Sequence, residues 1–275
     1  RIRDLEPWDL LWDMDIIGIR VGKEPENTVF YSILGKGGEC YGIAVYEGYD
    51  AFNSYLMLTM HEQMNLSVEY ALFNQMNLTC YWGNREELSE KQRKIVKELG
   101  YKYRGKNNWL YFLSCEPGYY PYNLNRDEVI RMAEHLENLE TAFTYYKETD
   151  VHIDFEGGNM FSFAYSEDKK TWHYGEEPLP FTCYSFGNLM ITDEELIGEL
   201  SKCPKGTYSL EADVRPMGVA VSDKKYDKPA NPAMSILTDA DTGMIISFDM
   251  NEPDEDAMVG LAELVIGFIC KAGVP

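Results

Sequence analysis

The sequence predicts an α+β fold in two domains, each a mainly antiparallel sheet packed with helices. Three observations carry that expectation. Strand-like segments come in pairs separated by turns of hairpin length, as at 27–35 and 39–48, so neighbouring strands run antiparallel. Helical periods with cap residues lie between the pairs, the longest beginning at Asn125. Finally, 275 residues, 45% of them hydrophobic, suffice for about two cores.

The elements follow in order. DIIGIRV (15–21), NTVFYSILG (27–35) and ECYGIAVYEG (39–48) are apolar, β-branched and aromatic, and read as strands. Between the last two lies Lys36-Gly37-Gly38 in a GKGG run. A phosphate-binding loop would need a helix directly after the glycines and a Lys-Ser or Lys-Thr pair. A strand follows instead, so the glycines serve a hairpin. Asp50 is placed to cap a helix over 51–62, and a second short helix fits 67–76. LTCYW (78–82) reads as a strand. Asn84 and Glu87 have capping-box spacing for a helix ending at Leu99 before Gly100. NWLYFLSC (108–115) reads as a buried strand, and EPGYYPYNL as a loop. Asn125 with Glu128 caps a helix whose Val129, Met132, Ala133, Leu136, Leu139 and Phe143 keep helical spacing.

The domain boundary falls near 150, giving 1–150 and a more β-rich 151–275. VHIDFE (151–156) alternates strictly and reads as a strand. FSFAY and TWHYG flank SEDKK as a hairpin, and EPLPF breaks the pattern. Thr192 with Glu195 caps a short helix ended by Pro204 and Gly206. YSLEADV and GVAV read as strands, and KPANP (228–232) as a rigid connector. AMSIL and MIISFDM pair across TDADTG, and an apolar helix runs from Pro253 to Lys271.

Charge narrows the partners. Forty-six acidic residues against 25 basic ones leave a net charge of -21. Such a surface repels phosphate backbones and anionic lipid heads, so no nucleic acid and no membrane surface is expected as partner. The basic run KQRKIVK (91–97) sits among Glu86, Glu87, Glu90 and Glu98, which makes it a self-paired helix face. No apolar run is long enough to span a bilayer. The start RIRDLEPWDL has neither methionine nor a signal-peptide pattern, which predicts a trimmed start. Cys40, Cys80, Cys115, Cys183, Cys203 and Cys270 form no zinc spacing and fit a reducing cytoplasm.

Four motifs bear on chemistry. On a strand, period two places His152, Asp154 and Glu156 on one face. An H-x-D pair begins a non-haem iron facial triad, with His173 as the nearby second histidine. Asp239-Ala-Asp241-Thr-Gly243 begins like a calcium loop, but its glycine falls one position early, so a hairpin turn is favoured. Cys115 with His135 lacks a third orienting residue for a thiol nucleophile. Tyr119, Tyr120 and Tyr122 on the loop after Cys115, together with Trp109, offer an aromatic groove for a peptide.

GKGGECYGIAVYEGYDAF, PGYYPYNLNRDEV and PANPAMSILTDADTGMIISFDM with FICKAGVP resemble a bacterial family of uncharacterised two-domain proteins, sometimes adjoining SEC-C-type metal knuckles. The resemblance covers most of the chain and implies no established activity. The SEC-C cysteine cluster is not found in this sequence, so its metal is not implied. Family members continue past the final G-x-P, which implies a trimmed end at Pro275. The hairpin and helix of 233–272 also resemble the opening of a ribonuclease-H-like fold, whose substrate the acidic surface disfavours. The resulting expectation is an acidic protein- or peptide-binding module, not an enzyme and without a cofactor, that binds through Tyr119, Tyr120, Tyr122 and Trp109. The alternative is a metal-dependent enzyme built on His152, Asp154 and His173.

Overall fold

The computed structural model describes residues 1–166, 168–180 and 190–274. Phe181, Cys183 and Pro275 lie outside them, with whatever the sequence suggests there. The chain divides into two compact units. The first comprises Arg1–Glu116 with Pro121–Cys183, and the second Pro117–Tyr120 with Tyr184–Pro275.

The first unit is built on seven strands: β1 (Ile17–Val21), β2 (Thr28–Leu34), β3 (Gly42–Glu47), β4 (Asn77–Gly83), β5 (Trp109–Cys115), β6 (Asn159–Ser166) and β7 (Thr171–Pro178). Their order is β5-β4-β3-β2-β1-β6-β7. Every pair is antiparallel except β1 with β6, where Ile17 lies beside Phe161 and Val21 beside Tyr165. GKGG joins β2 to β3 as a hairpin loop. Gly35 and Gly38 hold positive φ of 128° and 85°, and Gly38 N–H donates to Gly35 O.

The helices of this unit are α1 (Gly48–Thr59), α2 (Val68–Phe73), α3 (Glu90–Glu98) and α4 (Arg126–Glu148). Helix α4 covers one sheet face. Its Met132, Leu139, Ala142 and Phe143 pack with Ile17, Ile19, Tyr31, Ile33, Ile43, Val45, Phe161 and Phe163. On the opposite face α1 buries Ala51, Phe52 and Tyr55 against Phe30, Ala44, Tyr46 and Met160. The α4 cap is as expected: Asn125 accepts from Glu128 N–H, and Glu128 accepts from Asn125 N–H.

Several local expectations are corrected. Helix α1 starts at Gly48, so Asp50 sits in its first turn and does not cap it. Asn84 opens only a short 3-10 turn. The capping box of α3 is Ser89 with Gln92. Strand β5 is an edge strand and mostly half-buried. Residues 151–156 form no strand. The alternation there is real in burial, since Ile153 is buried while His152 and Asp154 are exposed. Among the described residues no neighbouring strand bonds to it, and Asp154 N–H donates instead to the Glu176 carboxylate.

The second unit holds α5 (Glu194–Leu200), β8 (Leu210–Pro216), β9 (Ala233–Asp239), β10 (Ile245–Asn251) and α6 (Ala257–Ala272). Its sheet runs β10-β9-β8 and is antiparallel throughout. Asp193, one residue later than expected, caps α5. Of GVAV only Val221 bridges, to Ala230. Segment 117–120 is a strap of this unit. Tyr119 bridges Ala230, Tyr120 N–H donates to Pro229 O, and Asn231 N–H donates to Gly118 O. Gly118 has φ 80° and leaves no room for a side chain, because a Cβ there would stand 2.6 Å from Pro253 O.

The face of α4 that anchors the first core is open to test. Leu139→Ala should cost about 2–5 kcal/mol in urea denaturation. Val129→Ala, at a side chain 53% exposed, should stay within about 0.5 kcal/mol. Equal losses would mean that α4 presents a different face to the sheet.

Candidate functional site

The four aromatic candidates are divided between the two units. The Tyr119 hydroxyl donates to Asp254 Oδ1 at 3.0 Å, its ring stands edge-on to Tyr226, and Lys228 Nζ lies 4.9 Å from its centroid. Tyr119 and Tyr120 belong to the second unit, Tyr122 and Trp109 to the first. Tyr122 exchanges both backbone hydrogen bonds with Ser114, and Lys91 sits over its ring. Trp109 begins β5 and meets Tyr103 edge-on at 6.0 Å. These rings largely serve the fold's own contacts.

The histidine and carboxylate candidates are placed as follows. His152 and Asp154 lie on the extended segment before β6, and Asp154 Oδ1 accepts from Gly157 N–H at 2.9 Å. His173 is on β7, beside Ala164. Among the described residues no group of three or more His, Cys, Asp and Glu side chains is arranged to hold a metal ion. The Asp239 loop is a hairpin turn. Its carboxylate accepts from Asp241 N–H, Thr242 N–H and the Thr242 hydroxyl, which together hold it below the usual carboxylate range. Gly243 takes φ 70° there.

One polar cluster was not anticipated. Glu47, the last residue of β3, faces α4. Arg131 Nε donates to its Oε1 at 2.8 Å, and His135 Nε2 lies 2.7 Å from the same oxygen. The hydrogen bond from His135, then the one from Arg131 and its charge, overcome burial and lower the Glu47 carboxyl to about 2. His135 also stands edge-on to Tyr31 at 6.3 Å. The Tyr31 hydroxyl is fully buried and has no hydrogen-bond partner among the described residues. Burial, then the Glu47 charge, push its ionisation up. A signal for this cluster was present: Arg131 and His135 stand four residues apart, on one face of α4. The cluster docks the start of α4 on the sheet, and it commits His135 to Glu47 instead of to Cys115.

The second unit exposes a different surface. On β9, Ser235 and Leu237 are fully buried, and Ser235 Oγ donates to Ala257 O at the start of α6. Helix α6 therefore covers this side of the sheet. Register places Phe248 beside Ile236, and Met250 beside Met234, on the other side. There Phe248 is 62% exposed, Met250 52% and Ile245 56%. Glu211, Asp213 and Arg215 of β8 share this face, opposite Thr238, Ile236 and Met234. Arg215 Nε pairs with Asp213 at 2.7 Å. Backbone N–H groups of two strands are occupied by their own chain: Val214 N–H donates to Asp213, and Met250 N–H to Asp249. Among the described residues no helix is long and apolar enough to cross a membrane.

Two family models match the chain. Residues 1–162 match the one described as Domain of unknown function (DUF7309), and residues 196–275 match Domain of unknown function (DUF6930). No curated protein and no solved structure matches it.

The Glu47 cluster implies a pH dependence. The folded carboxyl, at about 2, lies below its ordinary 4.5. Its stabilisation is therefore present above pH 4.5 and is lost as pH falls through 2. For a half-exposed group the contribution is about 1–2 kcal/mol after solvent screening. Glu47→Gln should be less stable than wild type by that amount at neutral pH. The gap should close in acid, which denaturant melts across the pH range will read.

Proposed function

We propose, from the premise that the chain belongs to the DUF7309 family, that it is a protein-binding module and that the β8–β10 face of its second unit is the contact surface. The observation that carries this reading is the row of Ile245, Phe248 and Met250 on one sheet face, each more than half exposed. Exposed apolar surface of this kind marks an interaction site when it is contiguous and rimmed by polar groups. The neighbouring Met234 and Ile236 continue it inward, and Glu211 and Asp213 border it.

The chemistry selects the partner. A second copy would bring two chains of charge -21 together, which like-charge repulsion disfavours. Strand addition is disfavoured because Asp213 and Asp249 occupy backbone N–H groups of the two outer strands. What remains is a partner that lies across the face, with apolar residues at its centre and Lys or Arg around them. An amphipathic basic helix has that form. Charge complementarity would speed its encounter and burial of Phe248 would hold it.

A Lys/Leu amphipathic peptide and its Glu/Leu counterpart, titrated by fluorescence anisotropy, test the reading. The basic peptide should bind and the acidic one should not. Phe248→Asp should weaken binding by roughly tenfold or more, with the melting temperature held. Equal binding of both peptides, or an unchanged affinity in the variant, would refute it. Sedimentation showing a dimer that Phe248→Asp dissolves would replace the foreign partner with a second copy.

A further inference from the structure

Among the described residues, the face of the first sheet opposite α4 is only partly covered. Helix α1 closes it over β2 and β3, and Met160 closes it beside Gly18, where a Cβ would come within 2.8 Å of Met160 Sδ. Beyond that, strands β1, β6 and β7 present small residues. Gly18, Ser162 and Gly175 lie in one register row, and Arg20, Ala164 and His173 in the next. A Cβ on Gly175 or Gly22 would meet nothing within 4 Å. The result is an open concavity of about 700 Å³ whose walls include Arg20, Lys23, Ser162, Ser166, His173 and Glu177.

Some of the polar groups of this concavity are paired and others are not. Lys23 is held by Asp168 at 3.1 Å. The side chains of Arg20, His173 and Glu177 have no hydrogen bond or ion pair among the described residues. Strands are about 4.8 Å apart, so the Arg20 and His173 backbones stand about 10 Å apart with one methyl group, that of Ala164, between them. A half-buried guanidinium is always charged and offers a fork of donors that matches a carboxylate or a phosphate. Arg20 is set over a floor of small side chains, Gly18, Ser162 and Ala164, which leaves its guanidinium room to meet a ligand.

We propose that this concavity is a binding site for a small organic anion, held through a carboxylate or phosphate group between Arg20 and His173. Ser162 and Ser166 stand one on either side of Ala164 along β6, so either can add a hydroxyl donor to that group. Glu177 lies beyond Gly175 and repels a second negative charge. It accepts a hydrogen bond from an amine or hydroxyl at the far end of the ligand. The occupant is therefore singly anionic at one end and a donor at the other. This site lies within the first unit, and the protein-binding face within the second.

Inorganic phosphate and acetate, titrated separately at constant ionic strength, are the probes. The readout is the His173 imidazole resonance in NMR spectra of the full chain. At least one anion should give a saturable shift, and which of the two does so identifies the recognised group. Arg20→Met should weaken that anion by roughly tenfold or more. Gly175→Val fills the concavity without meeting a neighbour and should abolish the shift, so it serves if Arg20→Met fails to fold. Shifts that are linear with both anions, or a saturable shift that survives both substitutions, would overturn the proposal.

Discussion

The parallel pairing of β1 with β6 is the constraint on which the first unit depends. Strands β1 to β5 are laid down by successive antiparallel pairings that move steadily away from β1. To place β6 on the other flank of β1, the chain must return across the whole sheet. Five strand spacings make that return about 24 Å. Helix α4 has 23 residues and spans about 34 Å, so one helix suffices. In crossing, it lays Met132, Leu139 and Phe143 over the central strands and creates the larger core. The Glu47–Arg131–His135 cluster fixes its first turns, and Phe161 and Phe163 receive its end.

How far this was legible in the residues differs by element. Hairpins β2–β3, β6–β7 and β9–β10 announce themselves by glycine-bearing or polar turns between apolar runs. Helix α4 announces itself by its capping box and its period. The β1–β6 pairing has no such signature, because nothing in Ile17–Val21 names a partner some 140 residues away. The VHIDFE segment misled for a related reason. Its alternation reports which side chains are buried, while a strand also needs a neighbour to bond to, and that neighbour is a tertiary fact. The candidate site was less legible still. Tyr119, Tyr120 and Tyr122 are neighbours in sequence, and that the chain changes units between Tyr120 and Pro121 is not written in the residues themselves. The NMFSFAYS alternation of aromatic and small residues on β6 did hold the signal for the concavity. Its small side, Ser162 and Ala164, reads as a loosely packed face, and the position of α1 over β2 and β3 shows which part of the face it leaves to the concavity.

The second unit makes the opposite point about polarity. An alternating strand is expected to turn its apolar side inward, which for β10 would bury Phe248 and Met250. Instead α6 packs on the side of Ser235, Leu237 and Asn251, where Asn251 Nδ2 donates to Ser235 Oγ at 2.8 Å. Gly260 permits that approach, since a Cβ there would strike the Asn251 amide. The helix is held by a buried polar contact and Leu261, and the apolar side of β10 is left outward. A face that runs against its own sequence pattern is a sign of selection for something other than the stability of the isolated unit.

The strap Pro117–Tyr120 has a consequence for how the chain is made. Its ladder partner, Ala230, leaves the ribosome more than a hundred residues later. The nascent chain can complete β1 to β5 and begin α4 while this short stretch waits unbonded. The second unit closes only once synthesis has passed the KPANP connector, and α6 emerges after β8, β9 and β10. Maturation of the two halves is thus ordered in time, and the strap ties the earlier one covalently at both of its ends to the completion of the later one.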